Sequence, residues 1–157
     1  MIQRIQSLYL LIIVVLGIMA CFMPLMEIFD SSYAWMGQLK ALGVLSLTEE
    51  GTRAFSHYTI GLFLMSIVIP MLSLFVIFLY KRRMVQVRLL IVNLILMLGY
   101  YALLVWSCYS AYHLVGGEAK SITVASAFML VNFVLNIMAI HRIRKDEALV
   151  RSLDRLR

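Results

Sequence analysis

Long hydrophobic stretches without a charged side chain alternate with short polar segments along this chain. The stretches that lack Asp, Glu, Lys, Arg and His are Leu8 to Met26, Tyr58 to Tyr80, Leu89 to Tyr112 and Ser121 to Ile140. Each is close to the roughly 20 residues that a helix needs to cross a bilayer. The pattern predicts an all-α membrane protein, an antiparallel bundle of four transmembrane helices. The predicted spans are about 7–26, 57–80, 89–112 and 121–141.

The polar segments complete a single transmembrane domain over residues 1–157. The longest is an outer loop of roughly 30 residues, 27–56. Its stretch Leu39 to Leu47, with Thr48 to Thr52 behind it, favours either a small β-hairpin or a short helix on the surface. The connection Lys81 to Arg88 is too short to fold alone, so the second and third spans are predicted to be antiparallel neighbours.

The C-terminal segment, residues 142–157, contains neither Gly nor Pro. Leu149, Leu153 and Leu156 follow the i, i+4, i+7 spacing of one helical face. This spacing predicts a cytoplasmic amphipathic helix that lies on the membrane surface or docks on another protein.

Basic residues are distributed unevenly around the predicted spans. Of the 14 Lys and Arg residues, one precedes the first span, four lie between the second and third, and six follow the fourth. The positive-inside rule then places both termini in the cytoplasm. Membrane orientation thus explains the formal net charge of +6, and no nucleic-acid partner is expected.

Three asparagines lie at membrane depth. Asn93 is about one and a half turns into the third span, Asn136 is at a similar depth in the fourth, and Asn132 is one turn further along the same face. Antiparallel packing would bring Asn93 level with Asn136. Amide contacts between helices contribute on the order of 1 kcal/mol each. The alternative is a polar cavity for a ligand or ion.

Chemically reactive groups are sparse. No Asp, Glu, Lys, Arg or His lies deep in a predicted span, so proton relays and intramembrane acid–base catalysis lack their usual groups. His57 and His113 fall near the outer interface, where water contact is the commoner case and a metal or haem site is the alternative. Cys21 and Cys108 are interpreted as packing residues inside spans. We expect no cofactor, no metal and no catalytic residue.

The two ends of the chain carry the most specific sequence signal, MIQRIQSLYL at residues 1–10 and RKDEALVRSLDRLR at 144–157. They resemble an uncharacterised family of four-pass inner-membrane proteins from Bacteroidota, the domain-of-unknown-function family four-two-nine-three. The resemblance implies an inner-membrane location and four helices, and it transfers no activity. It also suggests that the two ends form one cytoplasmic surface for a partner or lipid. The candidate residues are Gln3, Arg4, Gln6, Arg144, Lys145, Arg151, Asp154 and Arg155.

The predicted helices offer much surface for packing and few chemically reactive groups, and this combination favours a non-enzymatic function. We expect an accessory or assembly subunit of the bacterial inner membrane that binds other membrane proteins or lipid, with homo-oligomerisation left open. A small transporter or oligomeric pore is the alternative, and it requires a water-filled path past the three asparagines. A membrane redox or lipid-modifying enzyme is less favoured because it would need a bound cofactor.

Overall fold

The structure is a computed structural model that describes residues 3–29, 34–47, 53–79, 82–115 and 119–155. Within these residues the chain forms four α-helices and five β-strands. The helices are α1 (Gln3–Phe22), α2 (Ile60–Phe78), α3 (Arg83–Val115) and α4 (Val124–Arg155). The strands are β1 (Met26–Phe29), β2 (Trp35–Leu39), β3 (Gly43–Leu47), β4 (Arg53–Tyr58) and β5 (Ala119–Ile122).

The helices pack side by side in a ring. α1 packs against α2 and α4, and α3 packs against the same two helices. Among the described residues, Ile60–Phe78, Arg83–Val115 and Val124–Leu149 could each cross a membrane by length and composition. The apolar part of α1, Ser7–Phe22, is shorter. α4 continues without a break from its apolar part into the basic tail and ends at Arg155.

An antiparallel sheet packs with the helices, and it makes the all-α prediction wrong. The described strands form one five-stranded sheet in the order β4-β3-β2-β1-β5. β5, which follows α3, pairs with β1 and places Met26 opposite Ile122 and Glu27 opposite Ser121. The short segments between α1 and α2 and between α3 and α4 have many backbone N–H and C=O groups to pair, and pairing across the two segments satisfies them. Of the segment considered for a hairpin, Gly43–Leu47 forms β3 of this sheet, and residues 48–52 lie outside the described residues.

Hydrogen bonds attach the sheet to the helix ends. The Leu25 N–H, just after α1, donates to the Leu39 carbonyl at 2.7 Å. Just before α2, the Thr59 N–H donates to the Leu42 carbonyl at 3.0 Å and its hydroxyl to the Ala41 carbonyl at 2.9 Å. The turn between β2 and β3 therefore points toward the helices. We call this end of the molecule the sheet end.

Two glycines allow the strands to approach closely. A Cβ on Gly43 would collide with the backbone carbonyl oxygen of His57 on β4. A Cβ on Gly37 would lie 2.9 Å from the carbonyl oxygen of Leu45 on β3. The β3–β4 pairing is also irregular after Val44. The close approach of the strands therefore requires glycine, which has no side chain, at these two positions.

Exposed basic side chains mark the opposite end of the helices, which we call the basic end. Arg82 precedes α3 and Arg88 lies in its second turn, while Arg142, Arg144 and Lys145 lie in the second half of α4. The two ends of the molecule thus differ in structure as well as in charge.

Candidate functional site

A layer of buried polar side chains lies inside the ring of helices. Asn93, Asn132 and Asn136 are each 0% exposed, and so is Tyr100. They lie on helix faces that also bury apolar side chains, at the helical spacing expected for an inward-facing stripe. The apolar residues of that stripe on α3 and α4 are Leu90, Met97, Leu104, Ala111, Met129, Ala139 and Ile143.

Each asparagine contacts a different neighbouring helix. The Asn93 Nδ2 on α3 donates to the Ser73 Oγ on α2 at 2.8 Å. The Asn132 Nδ2 on α4 donates to the Ile13 carbonyl on α1 at 3.2 Å. The Asn136 Nδ2 contacts the Met97 Sδ on α3 at 3.8 Å, a weak hydrogen bond because thioether sulfur is a poor acceptor. The donors of Asn93 and Asn136 are therefore directed to other residues rather than to each other.

The hydrogen-bond acceptors of this layer have few donors to pair with. The Oδ1 atoms of Asn93, Asn132 and Asn136 are buried, and none has a hydrogen-bond partner among the described residues. Such groups are usually satisfied by ordered water. The layer offers amide and hydroxyl groups, which bind by hydrogen bonding, and no charged acid or base.

A further buried polar side chain, Gln86, closes the basic end of the α2–α3 pair. Its Nε2 donates at 2.9 Å to the carbonyl of Val76, in the last turn of α2. The same carbonyl accepts the Leu79 N–H at 3.1 Å, so Gln86 adds a second hydrogen bond at the end of α2. Sequence reasoning missed Gln86 because it lies among basic residues that predict an aqueous connection.

The sheet end holds the two histidines that were candidates for a metal or haem site. His57 is an exposed residue of β4, and His113 lies near the end of α3. The His113 ring packs edge-on against Tyr109 at a centroid distance of 4.4 Å. In the part of the chain that the structure describes, no group of three or more His, Cys, Asp or Glu residues could hold a metal ion.

The terminal surface predicted for a partner or lipid is described only in part. Arg144 and Lys145 are exposed on α4. The other candidate side chains lie outside the described part of the structure, although their backbones belong to α1 and α4. They are Gln3, Arg4, Gln6, Arg151, Asp154 and Arg155.

A large groove runs between α3 and α4 near the sheet end. It has a volume of about 570 Å³ and is lined mainly by apolar side chains. A hydrogen bond of 3.2 Å from the Tyr101 hydroxyl to the Ser126 carbonyl links the two helices along it. The lining extends from Val105 and Leu130 to Met26 and Ile122 in the sheet. We call it the α3–α4 groove.

Apolar helices with a sheet at one end are compatible with the class of membrane proteins, since three described helices could span a bilayer by length and composition. The family model described as Domain of unknown function (DUF4293) matches residues 2–156, so the chain belongs to that family. No curated protein matches the sequence.

Proposed function

We propose that this chain is a non-enzymatic accessory subunit of the bacterial inner membrane that binds another membrane protein through the α3–α4 groove. In this proposal the long apolar helices α2, α3 and α4 cross the bilayer and α1 packs beside them. Both termini and the basic end lie in the cytoplasm, and the sheet lies outside. The charge asymmetry supports this orientation, because Arg82, Arg88, Arg142, Arg144 and Lys145 all lie at one end of the helices.

The continuity of the groove with the sheet is the observation that carries the proposal. Val105 and Leu130 line the groove on the outer surface of the helices, and 68% and 57% of their respective surfaces are exposed. The same groove reaches Ile122 of β5, which is an edge strand. Edge strands present unpaired backbone groups that pair with an added strand.

A protein segment fits this combination of surfaces better than a lipid chain does. A partner helix can pack between α3 and α4, and the extended chain that follows it can pair with β5. A lipid tail can fill the apolar groove, but it has no backbone groups for the strand edge. Packing against small residues such as Ala127 is typical of helix association in membranes.

The transporter alternative has less support from the interior. A conducting path would have to pass Asn93, Asn132 and Asn136, and each of these side chains is fully buried. The α3–α4 groove lies between two adjacent helices, and its lining includes none of those asparagines and no charged residue. We therefore favour binding along the outer surface of the helices over transport through them.

Site-specific photo-crosslinking in native membranes tests the proposal. A benzophenone side chain at Val105 should give one discrete protein adduct that mass spectrometry identifies as a membrane protein. Leu98, two turns earlier on the same face of α3 and 54% exposed, is the matched control and should give none. Filling the groove with Ala127→Phe should abolish the Val105 adduct. Equal adducts from Val105 and Leu98, or an adduct that survives Ala127→Phe, would contradict the proposal.

A further inference from the structure

A second groove between α3 and α4 lies at the basic end. It has a volume of about 400 Å³. Its lining combines apolar and charged side chains: Met84, Val87, Arg88, Ile91, Arg144, Glu147 and Ala148. We call it the basic groove.

Hydrogen bonds hold the walls of the basic groove in place. The Arg83 Nη1 on α3 donates to the Asp146 carbonyl on α4 at 3.4 Å. On the far side of α3, the Gln86 Nε2 bond to the Val76 carbonyl fixes this helix against α2. The groove is therefore built by fixed helices rather than by a loop, so the protein backbone loses little freedom when a molecule binds.

The charged side chains of the basic groove suit a phosphate group. Arg88 and Arg144 come from different helices, and both are exposed. Guanidinium groups bind phosphate oxygens through paired N–H donors. Glu147 lines the same groove, so the site carries a net charge of one positive unit when all three groups are ionised. A ligand with a single negative charge would balance it.

The apolar side chains require that the phosphate belong to a lipid. Ile91 is 39% exposed and lies one turn beyond Arg88, toward the apolar middle of α3, while Val87 is buried beside it. A free phosphate ion would contact only the charged rim. An acyl chain would cover Ile91 while its phosphate stayed beside the two arginines.

We propose that the basic groove binds one anionic glycerophospholipid, with its phosphate between Arg88 and Arg144. A glycerol headgroup such as that of phosphatidylglycerol would donate hydroxyl hydrogen bonds to the Glu147 carboxylate. The inference rests on the membrane insertion in the proposed function, but it does not depend on a protein partner. Basic pockets between transmembrane helices are known to hold anionic lipid headgroups.

Native mass spectrometry of the full chain released from detergent micelles tests this site. The protein is titrated with phosphatidylglycerol and with phosphatidylethanolamine, and the bound fraction of each is measured. Phosphatidylglycerol should bind more tightly. Arg88→Gln and Arg144→Gln should each weaken it by about fivefold, because a basic residue near the surface contributes about that factor. Arg142→Gln, which removes an exposed charge of α4 outside the groove, should have little effect.

Two further arms separate a lipid site from a general attraction between basic residues and anions. Ala148→Phe fills the groove at unchanged charge and should also displace the lipid, and thermal unfolding in detergent checks that each variant is folded. Glycerol 3-phosphate, which lacks acyl chains, should not compete at concentrations that match the lipid. Equal loss with Arg142→Gln, equal binding of phosphatidylethanolamine, or full competition by glycerol 3-phosphate would each overturn the proposal. Lipid binding that persists while the Val105 crosslink fails would refute only the protein partner.

Discussion

Asn93 of α3 donates a hydrogen bond of 2.8 Å to the hydroxyl of Ser73 on α2, and both side chains are fully buried. The Ser73 hydroxyl in turn donates to the Ile69 carbonyl of its own helix at 3.1 Å. The bond therefore connects one helix to the backbone of its neighbour. Because bilayers exert little hydrophobic force between helices, such contacts and close packing hold membrane helices together.

We predict that Asn93 and Ser73 are energetically coupled. A double-mutant cycle with Asn93→Leu and Ser73→Ala, measured by denaturant titration in micelles, should give a coupling free energy of about 0.6 to 1.7 kcal/mol. The control cycle combines Asn93→Leu with Ser66→Ala instead, because the Ser66 hydroxyl donates to the Leu62 carbonyl within α2. That second cycle should give almost no coupling. Equal coupling in both cycles would mean that the Asn93 bond is not a specific link.

Helical periodicity explains why the shared face of Asn132 and Asn136 can be predicted from sequence while their partners cannot. Asn132 and Asn136 are separated by one helical turn, so they must share a face. The acceptor of Asn132 is the Ile13 carbonyl, on a helix more than one hundred residues away. Which carbonyl it meets depends on the rotation and height of α1 against α4, and no local pattern sets those quantities.

A second prediction concerns the contact between α1 and α2. A Cβ on Gly17 would lie 3.1 Å from the Cβ of Pro70, and the stiff proline ring has little freedom to move away. Gly17→Val should therefore lower the free energy of unfolding by about 1 to 3 kcal/mol through overpacking. Gly99→Ala is the control, since nothing lies within 4 Å of its Cβ position. It should be neutral or slightly stabilising, and similar losses at both glycines would contradict the close contact of Gly17 with Pro70.

A third prediction concerns the sheet. Gly43→Ala should disrupt the β3–β4 pairing because the new Cβ meets the His57 carbonyl, a backbone atom that cannot rotate aside. Hydrogen exchange of the Val44 amide should become faster. Gly61→Ala, where the nearest atom is a Leu103 methyl at 3.7 Å, should leave that exchange unchanged. Unchanged protection in Gly43→Ala would show that the strands do not approach this closely.

The long-range pairing of β1 with β5 supplies a fourth prediction. Glu27 and Ser121 are directly opposite, and opposite residues on antiparallel strands have Cβ atoms about 4.5 to 5.5 Å apart. In a background with Cys21 and Cys108 replaced by alanine, Glu27→Cys with Ser121→Cys should form a disulfide on mild oxidation. Glu27→Cys with Ser46→Cys should not, because β2 separates those strands. A crosslink in the second pair alone would contradict the strand order.

This pairing also shows why the sheet escapes sequence reasoning. β5 has only four residues, Ala119–Ile122, which is too few for an alternating pattern to identify a strand. Met26, the partner of Ile122, belongs to the segment between α1 and α2, and the helices in between bring the two strands together. In β1 the buried side chains of Met26 and Ile28 do alternate with Glu27 and Phe29, but the hydrophobic residues just before them read as the end of a span.

The subunit proposal and the lipid proposal both require that the two ends lie on opposite sides of a membrane, and cysteine accessibility tests this most directly. Ala54 on β4 and Lys145 on α4 are exposed at opposite ends of the molecule. In a background without Cys21 and Cys108, a membrane-impermeant maleimide should label Ala54→Cys in intact spheroplasts. It should label Lys145→Cys only after the membrane is permeabilised. Labelling of both positions from the same side, or of Lys145→Cys alone in intact spheroplasts, would contradict the account.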